Sequence, residues 1–422
     1  MKRFLFTTLV GVAAAVSMAA RRPAVALGVV LLTAAPLSVV AAPAANSAAA
    51  PEAPSAVAVA WQRIALRTIF TEGATPPQVG ALHLAFTSVA VHDAVQATQG
   101  VGNNAARAAV ATAAHDVLSA YFVNSRGHLD ADLAASLAKV PNGPGETQGI
   151  LSGQAAAAAM IESRVGDGFG DPSIVYAKPP AIGIWQPPPG GAMATPWLGF
   201  VRPLVHIAPV LLDGPDAVPS AAYATDYDEV RRLGAVGTAQ RSQEQTDVAR
   251  FFAFNPPVMY RDALCRLLDA EPTSLARTAR LFALIDASVA NAMIETFRLK
   301  FEVGFWRPFQ AIATVDDGNP ATEPEAGWAP LVPNPAYSEY PSGHAAATAP
   351  MAETIRSMLG EDTTLVLRNP TLGAERTYTT LTALEHDALH ARIWGGLHFR
   401  DAMDDGYDLG HRTARAVAAA FD

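Results

Sequence analysis

The chain has 422 residues, of which 50% are hydrophobic and 16% are charged, and its formal net charge is −9 at pH 7. A globular chain of this length and composition buries one large core or two medium ones. The negative charge argues against a nucleic-acid or anionic-membrane partner. The single cysteine, Cys265, excludes an intramolecular disulfide.

The first 50 residues differ from the rest of the chain. Met1-Lys2-Arg3 precede an apolar run to Ala20, and Arg21-Arg22 precede a second apolar run that ends in an Ala-rich stretch. A basic start followed by an apolar run is typical of a secretory leader. Residues 1–50 are therefore predicted to be a leader, and the mature protein is predicted to be exported to the periplasm or secreted. Membrane attachment is expected only through an uncleaved leader, because either run approaches spanning length.

Residues 51–222 are predicted to form an N-terminal helical region. Apolar periodicity predicts helices over residues 57–97, 105–119 and 153–165. The stretch 182–220 is dense in Pro and Gly, which predicts an irregular segment that crosses the surface or the mouth of a site.

Residues 223–422 are predicted to form a second helical domain. The periodic segments are residues 239–254, 272–298 with a continuation to Arg307, 344–359, 379–392 and 404–420. A strand is considered only at residues 363–367. The predicted fold class is therefore all-α.

Lys300 and Arg307 suit a compact, multiply charged anion such as phosphate or vanadate. Such an anion needs fixed cationic donors, and Arg offers a planar fork where Lys offers a point charge. The two residues are seven apart, so a continuous helix would point both side chains from one face.

Ser342-Gly343-His344 form a second candidate for anion binding. They precede the Ala-rich run Ala345-Ala346-Ala347. A Ser-Gly turn that opens a helix offers backbone N–H groups and the positive end of the helix dipole.

Arg392 and His398 complete the set of candidate residues. A Gly pair lies between them and favours a bend that brings both side chains inward. Asp401 follows His398 by three residues and is predicted to hydrogen-bond its ring, which would fix the tautomer that leaves the other nitrogen free. Asp404 and Asp405 are alternatives for that role.

The ordered motifs Lys300-x6-Arg307-Pro308, Pro341-Ser342-Gly343-His344 and Arg392-x5-His398 resemble one superfamily. It contains the type 2 phosphatidic acid phosphatases, the bacterial nonspecific acid phosphatases and the vanadium-dependent haloperoxidases. The resemblance implies two helical bundles, with the anion site in the C-terminal bundle. The family often has Asp four residues after the last His, where this chain has Ala402 and carries Asp401 one residue earlier.

The chain is more similar to soluble bacterial haloperoxidase-like proteins than to membrane lipid phosphatases. The latter have several apolar helices of about 20 residues. Beyond residue 50, the longest uncharged stretch of this chain lies between Lys178 and Arg202 and contains six prolines. The similarity extends to residues 61–64, 92–95 and 185–188.

The resemblance also implies a role for each candidate residue. His344 would act as acid and base, and the equatorial oxygens of the anion would be bound by Lys300, Arg307, Ser342, Gly343 and Arg392. His398 would be the axial group. In a haloperoxidase the matching His is the single protein ligand of vanadium, whereas in a phosphatase it is the nucleophile that forms a phosphohistidine.

The sequence is interpreted as a vanadate-dependent haloperoxidase-like enzyme. Its predicted cofactor is vanadate, and its predicted partners are hydrogen peroxide, a halide and an organic acceptor. One alternative is a metal-independent acid phosphatase that hydrolyses a phosphomonoester through His398, and another is a non-catalytic oxyanion-binding module. His386 and His390 lie four apart and could bind zinc from one helix face, although no third ligand is evident.

Overall fold

The computed structural model describes residues 53–314 and 316–421. The predicted leader, residues 1–50, lies outside this range. The described residues form one compact unit, and the boundary predicted between residues 222 and 223 falls inside one of its helices. Within the described ranges, no helix has the length and apolar character that a membrane crossing requires.

Five α-helices form the N-terminal region from residue 53 onward. They are α1 (Ala56–Leu66), α2 (Pro77–Ala97), α3 (Asn103–Tyr121), α4 (Arg126–Leu137) and α5 (Pro144–Ser163). The single helix predicted over residues 57–97 is in fact two helices. A π-helical turn, Arg67–Glu72, ends the first of them, and Pro77 begins α2 at a position that proline favours.

The Pro- and Gly-rich segment between α5 and α6 is irregular apart from one short 3-10 turn, Pro196–Phe200. This turn packs against the backbone of a long helix in the second half of the chain. A Cβ atom on Gly199 would lie only 2.3 Å from the backbone nitrogen of Arg298. Only glycine permits so close an approach, and this contact fixes the segment over the C-terminal half of the molecule.

The C-terminal region contains eight more helices and a β-hairpin. They are α6 (Ala221–Gly234), α7 (Gln243–Phe251), α8 (Pro256–Ala270), α9 (Leu275–Glu302), α10 (Pro308–Thr314), α11 (Ala345–Leu359), α12 (Leu381–Trp394) and α13 (Arg400–Ala420). The hairpin pairs β1 (Leu365–Asn369) with β2 (Ala374–Tyr378) in antiparallel register. The prediction of an all-α fold is confirmed, with this hairpin as a minor addition.

Helix α9 is the centre of the molecule. Ser274 caps its N-terminus by accepting a hydrogen bond from the backbone N–H of Arg277. Most of its residues from Leu275 to Phe297 are buried, as expected for a helix that other elements surround. It packs against α2 of the N-terminal region and against α11 and α13 of the C-terminal region, so it connects the two regions.

Helices α11 and α13 cross at small residues. Cβ atoms on Gly406 and Gly410 would lie 2.7 Å from the Cβ of Ala345 and 2.6 Å from the Cβ of Ala349. The two backbones therefore approach closely at the start of α11. This crossing brings the N-terminal part of α13, and the loop that precedes it, against the Ser-Gly-His motif.

Candidate functional site

Lys300 and Arg307 converge on one short stretch of backbone. Helix α9 ends at Glu302, and Gly304 has φ +65°, so the predicted continuation of the helix to Arg307 is wrong. The two side chains nevertheless meet, because both donate to the carbonyl oxygen of Ser338, from Lys300 Nζ at 3.0 Å and from Arg307 Nη2 at 3.3 Å. A turn in the backbone, and not a shared helix face, brings the cations together.

Backbone carbonyls also hold the rest of both cationic groups. Lys300 Nζ donates to the carbonyl of Glu339 at 2.7 Å. Arg307 donates from Nε to Tyr337 at 2.8 Å and from Nη1 to the carbonyl of Leu397 at 2.9 Å. Both cations are fully buried. The ring of Tyr337 lies 5.2 Å from each cationic centre, within the range of cation–π attraction.

Arg392 supplies a third buried cation from the last turn of α12. Its Nη1 donates weakly, at 3.5 Å, to the carbonyl oxygen of Phe252. Among the described residues its Nε has no hydrogen-bond partner. Burial lowers the pKa of Arg392 to about 9. A buried guanidinium with an unused N–H donor is a group that an anionic ligand would satisfy.

The Ser-Gly-His motif lies at the start of α11, as predicted. Ser342 is buried, and its backbone N–H donates to the carbonyl of Ala402 at 2.9 Å. Gly343 is open on one side, since a Cβ atom there would have only the Sδ of Met293 within 4 Å, at 4.0 Å. His344 immediately precedes the helix. Burial, and then the charges of Arg392, Arg307 and Lys300, keep its pKa well below the usual value.

His398 pairs with Glu339, and this corrects the prediction that Asp401 binds its ring. Oε1 of Glu339 lies 2.9 Å from His398 Nδ1 and accepts the backbone N–H of Phe399 at 3.0 Å. The carboxylate of Asp401 instead accepts the backbone N–H of Asp216 at 3.2 Å. Asp401 lies in the first turn of α13, where its side chain is directed towards Asp216 and not towards His398.

The Glu339 pairing selects one tautomer of His398. Because Oε1 already accepts from Phe399, a proton on the carboxyl group would reside on Oε2, which has no partner among the described residues. Oε1 therefore remains an acceptor in either protonation state, and Nδ1 of His398 carries the hydrogen. Nε2 keeps its lone pair, which is the form of imidazole that ligates a metal or attacks phosphorus.

The electrostatic balance of the site is positive. Three buried cations, Lys300, Arg307 and Arg392, face one buried carboxylate, Glu339. Burial lowers the pKa of Lys300, with further lowering by Arg307, and raises the pKa of Glu339 to about 8. Buried charges of one sign are stable only with a compensating partner. The donor set therefore fits a multiply charged oxyanion such as vanadate or phosphate.

A pocket of about 330 Å³ opens onto Gly343 and His344. Its described lining is mostly apolar, including Met293, Phe254 and Phe297, and it contains no Lys, Arg, Asp or Glu side chain. The Pro- and Gly-rich segment reaches this pocket, as predicted: Ala194 lines it and donates its backbone N–H to Ala336 at 2.7 Å.

The histidine pair considered for zinc lies on α12. The rings of His386 and His390 are 4.2 Å apart, and Nδ1 of His390 is bonded to the carbonyl of His386 at 2.7 Å. Across the part of the chain that the structure describes, no group of three or more His, Cys, Asp or Glu residues is arranged to hold a metal ion. A vanadate site of the haloperoxidase type has one protein ligand and would not form such a group.

Comparisons with known proteins agree with this geometry. A family model described as the VCPO second helical-bundle domain matches residues 280–422. The vanadium chloroperoxidase of Curvularia inaequalis is 29% identical over 179 residues, which are 35% of this chain and 29% of that protein. The chain therefore spans less than a third of that relative.

Solved structures resemble the chain over most of its length. A bacterial vanadium-dependent iodoperoxidase gives a TM-score of 0.69 at 18% identity, covering 87% of this chain and 96% of the other. A holo-type bacterial vanadium-dependent chloroperoxidase gives 0.62 at 14% identity, covering 81% and 91%. The fold is thus a helical haloperoxidase fold. The match of residues 280–422 to a haloperoxidase helical-bundle domain agrees with the resemblance that the motifs carry.

Proposed function

We propose that this protein is a vanadate-dependent haloperoxidase that oxidises a halide with hydrogen peroxide and halogenates an organic acceptor. The observation that carries the proposal is the arrangement around His398. Its Nδ1 is held by Glu339, its Nε2 is left basic, and three buried cations lie beside it. The resemblance to vanadium-dependent haloperoxidases supports the same class of reaction, the oxidation of a halide by hydrogen peroxide.

The residues fit vanadate, and each has a distinct task. Nε2 of His398 would ligate vanadium, and the oxygens would be bound by Lys300, Arg307 and Arg392 together with Ser342 and Gly343. When bound, vanadate would supply a Lewis-acidic centre that activates hydrogen peroxide towards halide. The protein supplies positioning and charge, since its carbonyls fix both Lys300 and Arg307 before any ligand enters.

His344 is suited to accept a proton at neutral pH. Burial and the neighbouring cations lower its pKa, so the imidazole is neutral and its lone pair is available. The side chain lines the pocket through which hydrogen peroxide would arrive. His344 would take the proton that peroxide loses on binding and return it when the oxidised halide leaves.

The pocket indicates the class of organic acceptor. Among the described residues of its wall there is no Lys, Arg, Asp or Glu. Its polar groups include the imidazole of His344 and the side-chain amides of Gln78 and Asn255. A charged acceptor would lose its hydration there without gaining a partner. An uncharged, largely apolar acceptor is therefore the expected substrate.

The decisive experiment compares two activities of the purified protein in one buffer. Bromide-dependent halogenation of a 1,3-diketone reporter is measured with peroxide, with and without orthovanadate, beside hydrolysis of a phosphomonoester. Vanadate-dependent halogenation with little hydrolysis supports the proposal. Hydrolysis that vanadate inhibits, with a phosphoenzyme trapped on His398, would establish the phosphatase alternative, and silence in both assays would leave an oxyanion-binding module.

We also propose that the protein is exported, on the basis of the basic and apolar pattern in residues 1–50. N-terminal sequencing of protein recovered from the periplasm and the medium tests this. A new N-terminus near residue 50 is expected, whereas full-length protein retained in the cytoplasmic fraction would contradict export.

A further inference from the structure

Met293 places a thioether against the candidate site. It lies on α9 with 5% of its surface exposed, and it lines the pocket that opens onto His344. Its Sδ is 4.0 Å from the position that a Cβ atom would occupy on Gly343. The sulfur is thus near the backbone that immediately precedes the proposed proton acceptor.

The other described methionines lie elsewhere. Met193, Met259, Met351 and Met403 are more deeply buried than Met293 and do not line this pocket. Met160 on α5 and Met358 in the last turn of α11 are half-buried and do not line this pocket. From bulk solution, these two sulfurs are the more accessible. From the pocket, Met293 is the first thioether within reach.

We infer that Met293 is a site of self-modification, oxidised by the halogenating agent that the protein itself forms. The inference rests on the proposed function, which supplies a hypohalous acid at the site. In the balanced step, the thioether and HOX give a sulfoxide, a halide ion and a proton. The sulfur loses two electrons, the halogen is reduced from +1 to −1, and the oxygen of HOX forms the new S=O bond.

Oxidation of Met293 changes the chemistry of the pocket wall. A sulfoxide is polar and accepts hydrogen bonds, whereas its neighbours in the wall include the apolar rings of Phe254 and Phe297. An apolar acceptor would then bury a polar group without a partner. The expected result is a rise in KM for such acceptors of about tenfold, which corresponds to 1.4 kcal/mol. The residues that hold the oxyanion are untouched, so oxidation of halide itself continues.

The test follows each methionine by peptide mass spectrometry. The vanadate-loaded protein turns over with peroxide and bromide, and a parallel sample receives the same total dose of hypobromite from solution. During turnover, Met293 should gain one oxygen before Met160 and Met358 do. Hypobromite added from solution should reverse that order. A methionine sulfoxide reductase should restore the original KM of the oxidised protein.

Two variants separate this inference from general oxidative damage. Met293→Leu removes the sulfur and keeps a side chain of similar volume. During turnover, its halogenation rate, relative to its own initial rate, should decline more slowly than that of the parent protein. The halogenation rate of Met160→Leu should decline as fast as that of the parent protein. If halogenation proceeds while Met293 stays intact and Met160 or Met358 is oxidised, the inference alone is overturned. If no vanadate-dependent halogenation occurs, both the proposed function and this inference are wrong.

Discussion

Replacing Glu339 tests whether the site depends on the acceptor that orients His398. Glu339→Ala removes the partner of two buried N–H groups, His398 Nδ1 at 2.9 Å and Phe399 N at 3.0 Å. A buried donor without a partner costs about 1–3 kcal/mol. The cost of leaving the backbone N–H of Phe399 unpaired is the same with and without bound vanadate. It therefore lowers the free energy of unfolding and leaves vanadate affinity unchanged.

The His398 contribution acts on the ligand directly. Without Glu339 the ring can rotate and can place its hydrogen on Nε2, the nitrogen that should ligate vanadium. The loss of such an orienting partner typically lowers metal affinity by about 10- to 100-fold. Vanadate affinity of the Ala variant, measured by isothermal titration calorimetry, should fall by that factor. Inorganic phosphate, bound in the same cradle through the cations, should lose much less.

Glu339→Gln is the matched control. Its amide oxygen can accept both N–H groups, and its NH2 group replaces Oε2, which has no partner among the described residues. Vanadate affinity of this variant should stay close to that of the parent protein. If the Ala variant folds and binds vanadate as tightly as the Gln variant, Glu339 does not orient His398 and the reasoning is refuted.

The same Gln variant reports the protonation of Glu339. Burial raises the pKa of Glu339 from 4.5 to about 8. Between these values the folded protein holds a proton that the unfolded chain releases, so this group's contribution to stability falls as pH rises from about 5 to about 8. Without vanadate, the free energy of unfolding of the parent should fall by a few kcal/mol relative to Glu339→Gln across that window. Urea unfolding of both proteins at several pH values measures this difference in free energy of unfolding. A difference that does not change with pH would contradict a buried, protonated carboxyl group.

Three further variants test the remaining roles. His398→Ala should abolish vanadate retention after gel filtration, while His390→Ala, a histidine on the preceding helix, should retain the metal; equal vanadium contents would remove the ligand assignment. His344→Ala should bind vanadate and lose turnover by about 10²- to 10⁴-fold, the usual contribution of a general base, and wild-type turnover would exclude that role. Asp401→Asn should leave vanadate affinity unchanged, since its carboxylate faces Asp216 and not His398; a loss comparable to that of Glu339→Ala would restore the original pairing.

The motifs predicted which residues would lie together, whereas helical periodicity did not predict how Lys300 and Arg307 come together. Lys300 and Arg307 were expected to share one helix face, and they do meet. The helix ends between them, however, and the contact is made through the carbonyl of Ser338. Periodicity describes regular helix, and it carries no information about where a glycine such as Gly304 will turn the chain.

The partner of His398 could not be found from spacing in the adjacent sequence. Glu339 lies 59 residues earlier in the chain, and the residue three positions after His398 was the natural candidate. One signal was present. Glu339 stands two residues before Pro341, so a carboxylate next to the Ser-Gly-His motif would have been a second candidate. Choosing between the two required the crossing of α11 and α13, which depends on tertiary packing at Gly406 and Gly410.

The way the cations are held determines what the site can bind. A carboxylate partner would fix the geometry of Lys300 and Arg307, but it would also cancel their charge. Backbone carbonyls of residues 337–339 and Leu397 fix the geometry while contributing only dipoles. Glu339, a buried carboxyl group that faces them, is hydrogen-bonded to His398 and has a raised pKa, so it offsets little of that charge near neutral pH. The positive charge is thus preserved for a ligand, and the site should prefer a doubly charged oxyanion to a singly charged one of the same shape.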